Sequence, residues 1–143
     1  MSKAATFAPG YIQEQENLFL QLFVNRWDYL YAEHPAPGEK PTWRTESRHP
    51  LSDRLIQQGS YLYGVRFGND TQYAMLDIDA GSPYHPRHDG LAIERITSAL
   101  EPLGLVQHLT ITSSDSGGLH LYFPFDRPLP SWKVGLAIST LLE

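Results

Sequence analysis

The chain contains no cysteine, which removes disulfides and thiolate metal sites from consideration. It contains no uninterrupted apolar run of about 18 residues, so a membrane-spanning helix is excluded from the reading. The first ten residues, MSKAATFAPG, carry one lysine but no apolar segment behind it. No secretory signal is read there, and a cytoplasmic location with no membrane partner is expected. Basic residues are in the minority: 11 Lys and Arg against 16 Asp and Glu give a net charge of −5. That balance argues against a strongly basic nucleic-acid clamp. An acidic catalytic domain can still act on phosphates, because bound metal ions bring the positive charge to the place where it is needed. Repeats and low-complexity segments are also missing.

What is present suffices for a core. Hydrophobic residues make up 41% of 143 residues, the scale of one domain. Leu18, Phe19, Leu22, Phe23, Arg26 and Leu30 recur at three- and four-residue spacing, which predicts a long amphipathic helix over 11–33. His34-Pro-Ala-Pro-Gly38 would end it. Residues 34–50 read as a loop or short extended stretch, followed by a short helix with Ser52 as N-cap and Gly59 as its stop. Two strand-like runs, 61–67 and 73–79, flank the turn-rich Gly68-Asn-Asp-Thr71 and predict a hairpin. A polar loop over 80–90 leads to a helix over about 89–101. Its N-cap would be Asp89 and its buried stripe Leu91, Ile93, Ile96, Ala99 and Leu100. Two more strands, 106–112 and 119–125, are joined by Ser113-Ser-Asp-Ser-Gly-Gly118. Ser131 would cap a final helix that is still running at Glu143, as though the chain were cut short. The expected fold class is α+β: helices packed on one face of a mainly antiparallel sheet. An N-terminal helical and loop part (1–60) would precede a core over 61–143.

The chemistry concentrates in two places. In Leu76-Asp-Ile-Asp79, strand alternation puts Asp77 and Asp79 on one face, with Cα atoms about 6.5–7 Å apart. Two carboxylates on one face repel each other unless a cation lies between them, and hard oxygen donors suit Mg²⁺ or Mn²⁺. The bland alternative is a pair of solvated acids at a strand end. Against it, Tyr73 to Leu76 run directly into the pair, and acidic residues are poor strand formers. The second place is the Ser/Gly turn before His120. Its backbone N–H groups offer an anion nest, and the imidazole offers a donor to a phosphate oxygen. A strand histidine beside a hairpin also has an ordinary surface role open to it.

Taken in order, an apolar strand ending in Asp-x-Asp, a helix, a strand, a Ser/Gly turn and Gly118-Leu-His120 resemble the catalytic core of the archaeo-eukaryotic primase (primase-polymerase) superfamily. The likeness covers about 61–125. It implies a two-metal site in an RRM-like sheet. Asp77 and Asp79 would be the catalytic metal ligands. His120 with Ser114, Ser116, Gly117 and Gly118 would hold the phosphates of an NTP or dNTP. The implied reaction is attack of a 3′-hydroxyl on the α-phosphate, directed by a single-stranded nucleic-acid template, with a helicase domain as a possible partner. The family's turn often carries Lys or Arg where this chain has Asp115 and Ser116. Its third motif, an acid on a later strand, would fall after Glu143.

Outside those motifs, Arg66 is a further nucleotide-binding candidate if its strand pairs with 73–79. Arg44 and Arg48 are candidates of the same kind. Tyr84-His-Pro-Arg-His88 follows the aspartates closely enough to approach metals or phosphate, and Trp43 has either base stacking or core packing open to it. Three rival functions are weighed. A DxD-dependent glycosyltransferase would need a larger doubly wound nucleotide domain before its aspartates. A rolling-circle endonuclease would need two histidines where Leu119-His-Leu121 has one. A catalytically inactive RRM-like nucleic-acid- or nucleotide-binding module needs neither.

Overall fold

The computed structural model describes residues 19–113 and 116–143. The fold class is α+β, and the chain divides into two compact units between Gly68 and Asn69. Among the described residues, no helix is long and apolar enough to cross a membrane.

In the first unit, residues 19–23 are helical (α1), with the Phe19 and Phe23 rings 5.3 Å apart. The predicted long helix does not continue. Residues 11–18 lie outside the described residues, and strand β1 (Tyr29–Ala32) occupies the end of the predicted span. The reason is tertiary: Tyr-Leu-Tyr-Ala pairs with two neighbours, and pairing overrides a weak helical period. Strands β2 (Arg44–Glu46) and β3 (Leu62–Gly64) flank β1 in an antiparallel sheet ordered β2-β1-β3. Tyrosine rings pack across the β1–β3 pair, Tyr29 on Tyr63 at 5.9 Å and Tyr31 on Tyr61 at 5.6 Å. Gly64 faces Leu30, and a Cβ there would sit 3.3 Å from the Leu30 Cβ and 3.5 Å from the Trp43 ring. Helix α2 (Asp53–Gln58) begins and ends where the sequence placed it. The Ser52 hydroxyl accepts from the Leu55 N–H, and Gly59 closes the helix in the left-handed region at φ 61°.

The second unit runs β4 (Asp70–Ile78), α3 (Ala92–Leu100), β5 (Leu109–Thr112), β6 (Leu119–Pro130) and α4 (Ser131–Leu142). Its sheet is antiparallel with β6 in the middle, ordered β4-β6-β5. The predicted 61–67/73–79 hairpin is therefore corrected: β3 pairs with β1 and β4 with β6. Turn residues at 68–71 mark a reversal but do not choose the partner.

Ala74, Ile78, Leu121 and Phe123 form the inner face of this sheet and pack with Ile96 and Leu100 of α3 and Ile138 of α4. Helix α3 buries Ala92, Ile96 and Leu100, one residue per turn. Leu91, expected in that stripe, is exposed because the helix starts just after it. Asp89 still serves the start of α3, its carboxylate accepting from the Leu91 N–H at 3.0 Å. Ser131 is the first residue of α4 rather than its cap, which is Pro130.

The β4–β6 register slips between Thr71 and Tyr73. Thr71 is buried, and its hydroxyl donates to the Tyr73 carbonyl at 2.7 Å and accepts from the Tyr73 N–H at 3.3 Å. A side chain thus supplies hydrogen bonding where the ladder is irregular.

Candidate functional site

Alternation along β4 and β6 sends Ala74, Ile78, Leu121 and Phe123 to the helices, so the intervening residues share the opposite face. On that face Asp77 stands directly across from His120, and Met75 across from Tyr122. From β5, Ile111 lies opposite His120 and Leu109 opposite Tyr122, both half exposed. The acid of the first sequence element and the imidazole of the second, distant in sequence, are thus cross-strand partners.

The His120 Nε2 lies 3.5 Å from the Asp77 carboxylate, with the two side chains 28% and 59% exposed. On its other side, His120 Nδ1 is 3.1 Å from the Tyr122 hydroxyl. Tyr122 holds its proton more tightly than an ordinary phenol, first because it is partly buried and second because the Asp77 carboxylate disfavours a phenolate nearby. Tyr73, whose ring is 5.7 Å away, is pushed up to about 12 by burial and by Tyr122. Both phenols are therefore neutral across the physiological range. A Tyr122 O–H donated to Nδ1 would put the imidazole proton on Nε2, the nitrogen nearer Asp77. Tyr122 joins this cluster although the sequence reading gave it no role. Its signal was its place two residues beyond His120.

Asp79 is the first residue after β4 and is exposed, its carbonyl closing a turn with the Ser82 N–H at 2.9 Å. Gly117 and Gly118 line the turn that brings β6 back beside this strand end. The Gly118 carbonyl accepts from the Ser113 N–H at 2.8 Å. A Cβ at Gly118 would come within 2.7 Å of the Ser113 hydroxyl and 3.5 Å of the Ile78 carbonyl. Ile78 is the residue between the two aspartates, so the turn is packed against the Asp-x-Asp segment itself. Ser116 belongs to the same turn, whereas Ser114, also expected to bind phosphate, lies outside the described residues, as does Asp115. Arg66 belongs to the first unit, where Asp28 and Thr45 hold its guanidinium at 3.4 Å and 3.0 Å. The hairpin on which its nucleotide-binding role depended is replaced by the β1–β3 pair. Arg44 and Arg48 also belong to the first unit.

Asp77 and Asp79 offer exposed carboxylate oxygens, the donors a hard divalent cation takes. Among the described residues no group of three or more His, Asp or Glu side chains is placed to hold a metal ion. Carboxylate oxygens are the donor type that Mg²⁺ or Mn²⁺ takes, usually one or two of them with water and phosphate oxygens. No protein-family model matches the chain, and no curated protein matches it.

Proposed function

We propose that the second unit is the nucleotide-handling half of a primase-polymerase-like nucleotidyl transferase. The observation that carries the reading is the cross-strand pairing of Asp77 with His120 on the helix-free face of the sheet. The order β-α-β-β-α with the third strand central supports the RRM-like sheet of this reading. The resemblance drawn from Leu76-Asp-Ile-Asp79 and Gly118-Leu-His120 requires these two motifs to meet, and here they do.

In this reading Asp77 and Asp79 hold Mg²⁺ or Mn²⁺, which supplies charge neutralisation at the phosphates when bound. The Nε2–H of His120 donates to a phosphate oxygen, and Tyr122 fixes the ring through Nδ1. The Gly117–Gly118 turn contributes backbone donors. The reaction is attack of a template-paired 3′-hydroxyl on the α-phosphate of an NTP or dNTP, with pyrophosphate leaving. The resemblance implies a third acid that would complete the metal set.

A second reading keeps the nucleotide site without the catalysis: an RRM-like binding module for nucleotide or nucleic acid. The exposed Leu109, opposite Tyr122, and Ile111, opposite His120, favour it. Template-dependent primer synthesis by the whole chain, with Mn²⁺ and labelled NTP or dNTP, separates the two. Synthesis that disappears in both Asp77→Ala and Asp79→Ala supports the transferase. Synthesis unchanged in either variant ends it, and nucleotide binding without synthesis in the wild type leaves the binding module.

A further inference from the structure

The glycine turn lacks a basic residue of its own, and a triphosphate held beside two carboxylates needs positive charge. The loop after β4 brings one there. His85 is buried, and its Nδ1 accepts the Arg87 N–H at 3.0 Å. The ring proton therefore sits on Nε2 and is donated to the Gly117 carbonyl at 2.7 Å. That hydrogen bond ties the 80–90 loop to the phosphate-facing turn. Arg87 follows two residues later, and its Nη2 lies 2.9 Å from the point a Cβ on Gly117 would occupy. Gly117 has φ +85°, a region L side chains rarely adopt, so both the backbone and the guanidinium favour glycine there. Arg87 is exposed and forms no ion pair among the described residues, unlike Arg26, Arg66 and Arg95.

We propose that Arg87 is a phosphate-binding residue of this site. It supplies from a separate loop the cation that the turn does not carry, with His85 as its positioning residue. The inference rests on the nucleotide reading of Asp77 and His120 and adds a ligand contact to it. Guanidinium suits the task because its planar fork meets two phosphate oxygens at once. The ligand class is a nucleoside triphosphate, the turn and the guanidinium taking the phosphates furthest from the sugar.

The test measures binding of ATP, ADP, AMP and adenosine to the whole chain with Mn²⁺ present. Wild type is compared with Arg87→Gln, Arg87→Lys and Asp77→Ala, and thermal midpoints are taken alongside. Arg87→Gln is expected to weaken ATP tenfold or more, ADP less and adenosine not at all, at an unchanged midpoint. Arg87→Lys is expected to restore part of the loss. If Arg87→Gln binds ATP like wild type while Asp77→Ala loses Mn²⁺-dependent binding, Arg87 is idle and the site stands without it. If neither variant alters ATP binding, the nucleotide reading falls and the inference with it. A loss confined to a single-stranded oligonucleotide, with ATP unaffected, would move Arg87 to a template backbone and overturn the assignment. His85→Gln offers an independent check, since it should lower ATP affinity in the same phosphate-graded manner while leaving adenosine alone.

Discussion

Replacing Asp77 by Asn separates a functional carboxylate from a structural one. The side chain is 59% exposed and its partner His120 28% exposed, at 3.5 Å. Ion pairs in such surroundings contribute about 0.2–1 kcal/mol, because water screens the attraction and two side chains must be held still. For a unit the size of Asn69–Glu143, 1 kcal/mol corresponds to a shift in Tm of roughly 4–8 °C, so Asp77→Asn should lower Tm by no more than about 8 °C. The effect on Mn²⁺ is expected to be far larger. Even residues that only orient a metal ligand are worth roughly 10- to 100-fold in affinity, and a ligand itself should be worth at least that. The assay pairs thermal or urea unfolding with Mn²⁺ titration in the presence of ATP. A Tm lowered by 10 °C, or Mn²⁺ affinity equal to wild type, would refute the reasoning: the first makes the carboxylate structural, the second makes it a bystander.

Tyr122→Phe removes the hydroxyl at His120 Nδ1 while keeping the ring, so ATP affinity should fall several-fold with little change in Tm; an unchanged affinity would show that the imidazole needs no such support. Thr71→Val deletes the buried hydroxyl that bonds both polar groups of the Tyr73 backbone, and should cost about 1–3 kcal/mol in urea unfolding. Tyr73 predicts an alkaline limit. Its folded value is raised from 10.0 to about 12, so the stability linked to it is fully present below pH 10 and is lost as the unfolded chain ionises between 10 and 12. The loss should approach roughly 2–3 kcal/mol at pH 12 and should shrink in Tyr73→Phe; identical alkaline profiles for the two proteins would remove Tyr73 as the cause. Leu121→Ala, at a fully buried position in the middle strand, should cost about 2–5 kcal/mol, with a smaller cost indicating that the core closes over the gap.

The candidate site was more legible in the sequence than the architecture around it. Period-two patterning assigns residues to faces without knowledge of the partner strand, so Asp77 could be put on a face away from Leu76 and Ile78 before any pairing was known. Local chemistry likewise fixed α2, because Ser52 and Gly59 act within a turn of their own position. Partner choice is a non-local quantity, and there the reading failed. Gly68 to Thr71 have hairpin composition, yet β4 found β6. Leu22, Phe23, Arg26 and Leu30 fit a helical period, yet Tyr29–Ala32 became the central strand of a small sheet. Arg66 was misjudged for the same reason, its proposed proximity being borrowed from a pairing that does not form. The role of Arg87 was partly visible: its loop was flagged, but only the His85–Gly117 bond says where the loop goes.

The middle strand carries prolines at 124, 128 and 130. Imino residues have no amide proton to give to a ladder, and the register slip at Thr71 falls in the same stretch. The sheet is therefore zipped firmly over 119–123 and loosely beyond. Slow amide exchange should concentrate around Leu121, with breathing entering from the Pro130 end. Asp77 and His120 pair at the opposite end of the ladder from Pro130, where exchange should be slower.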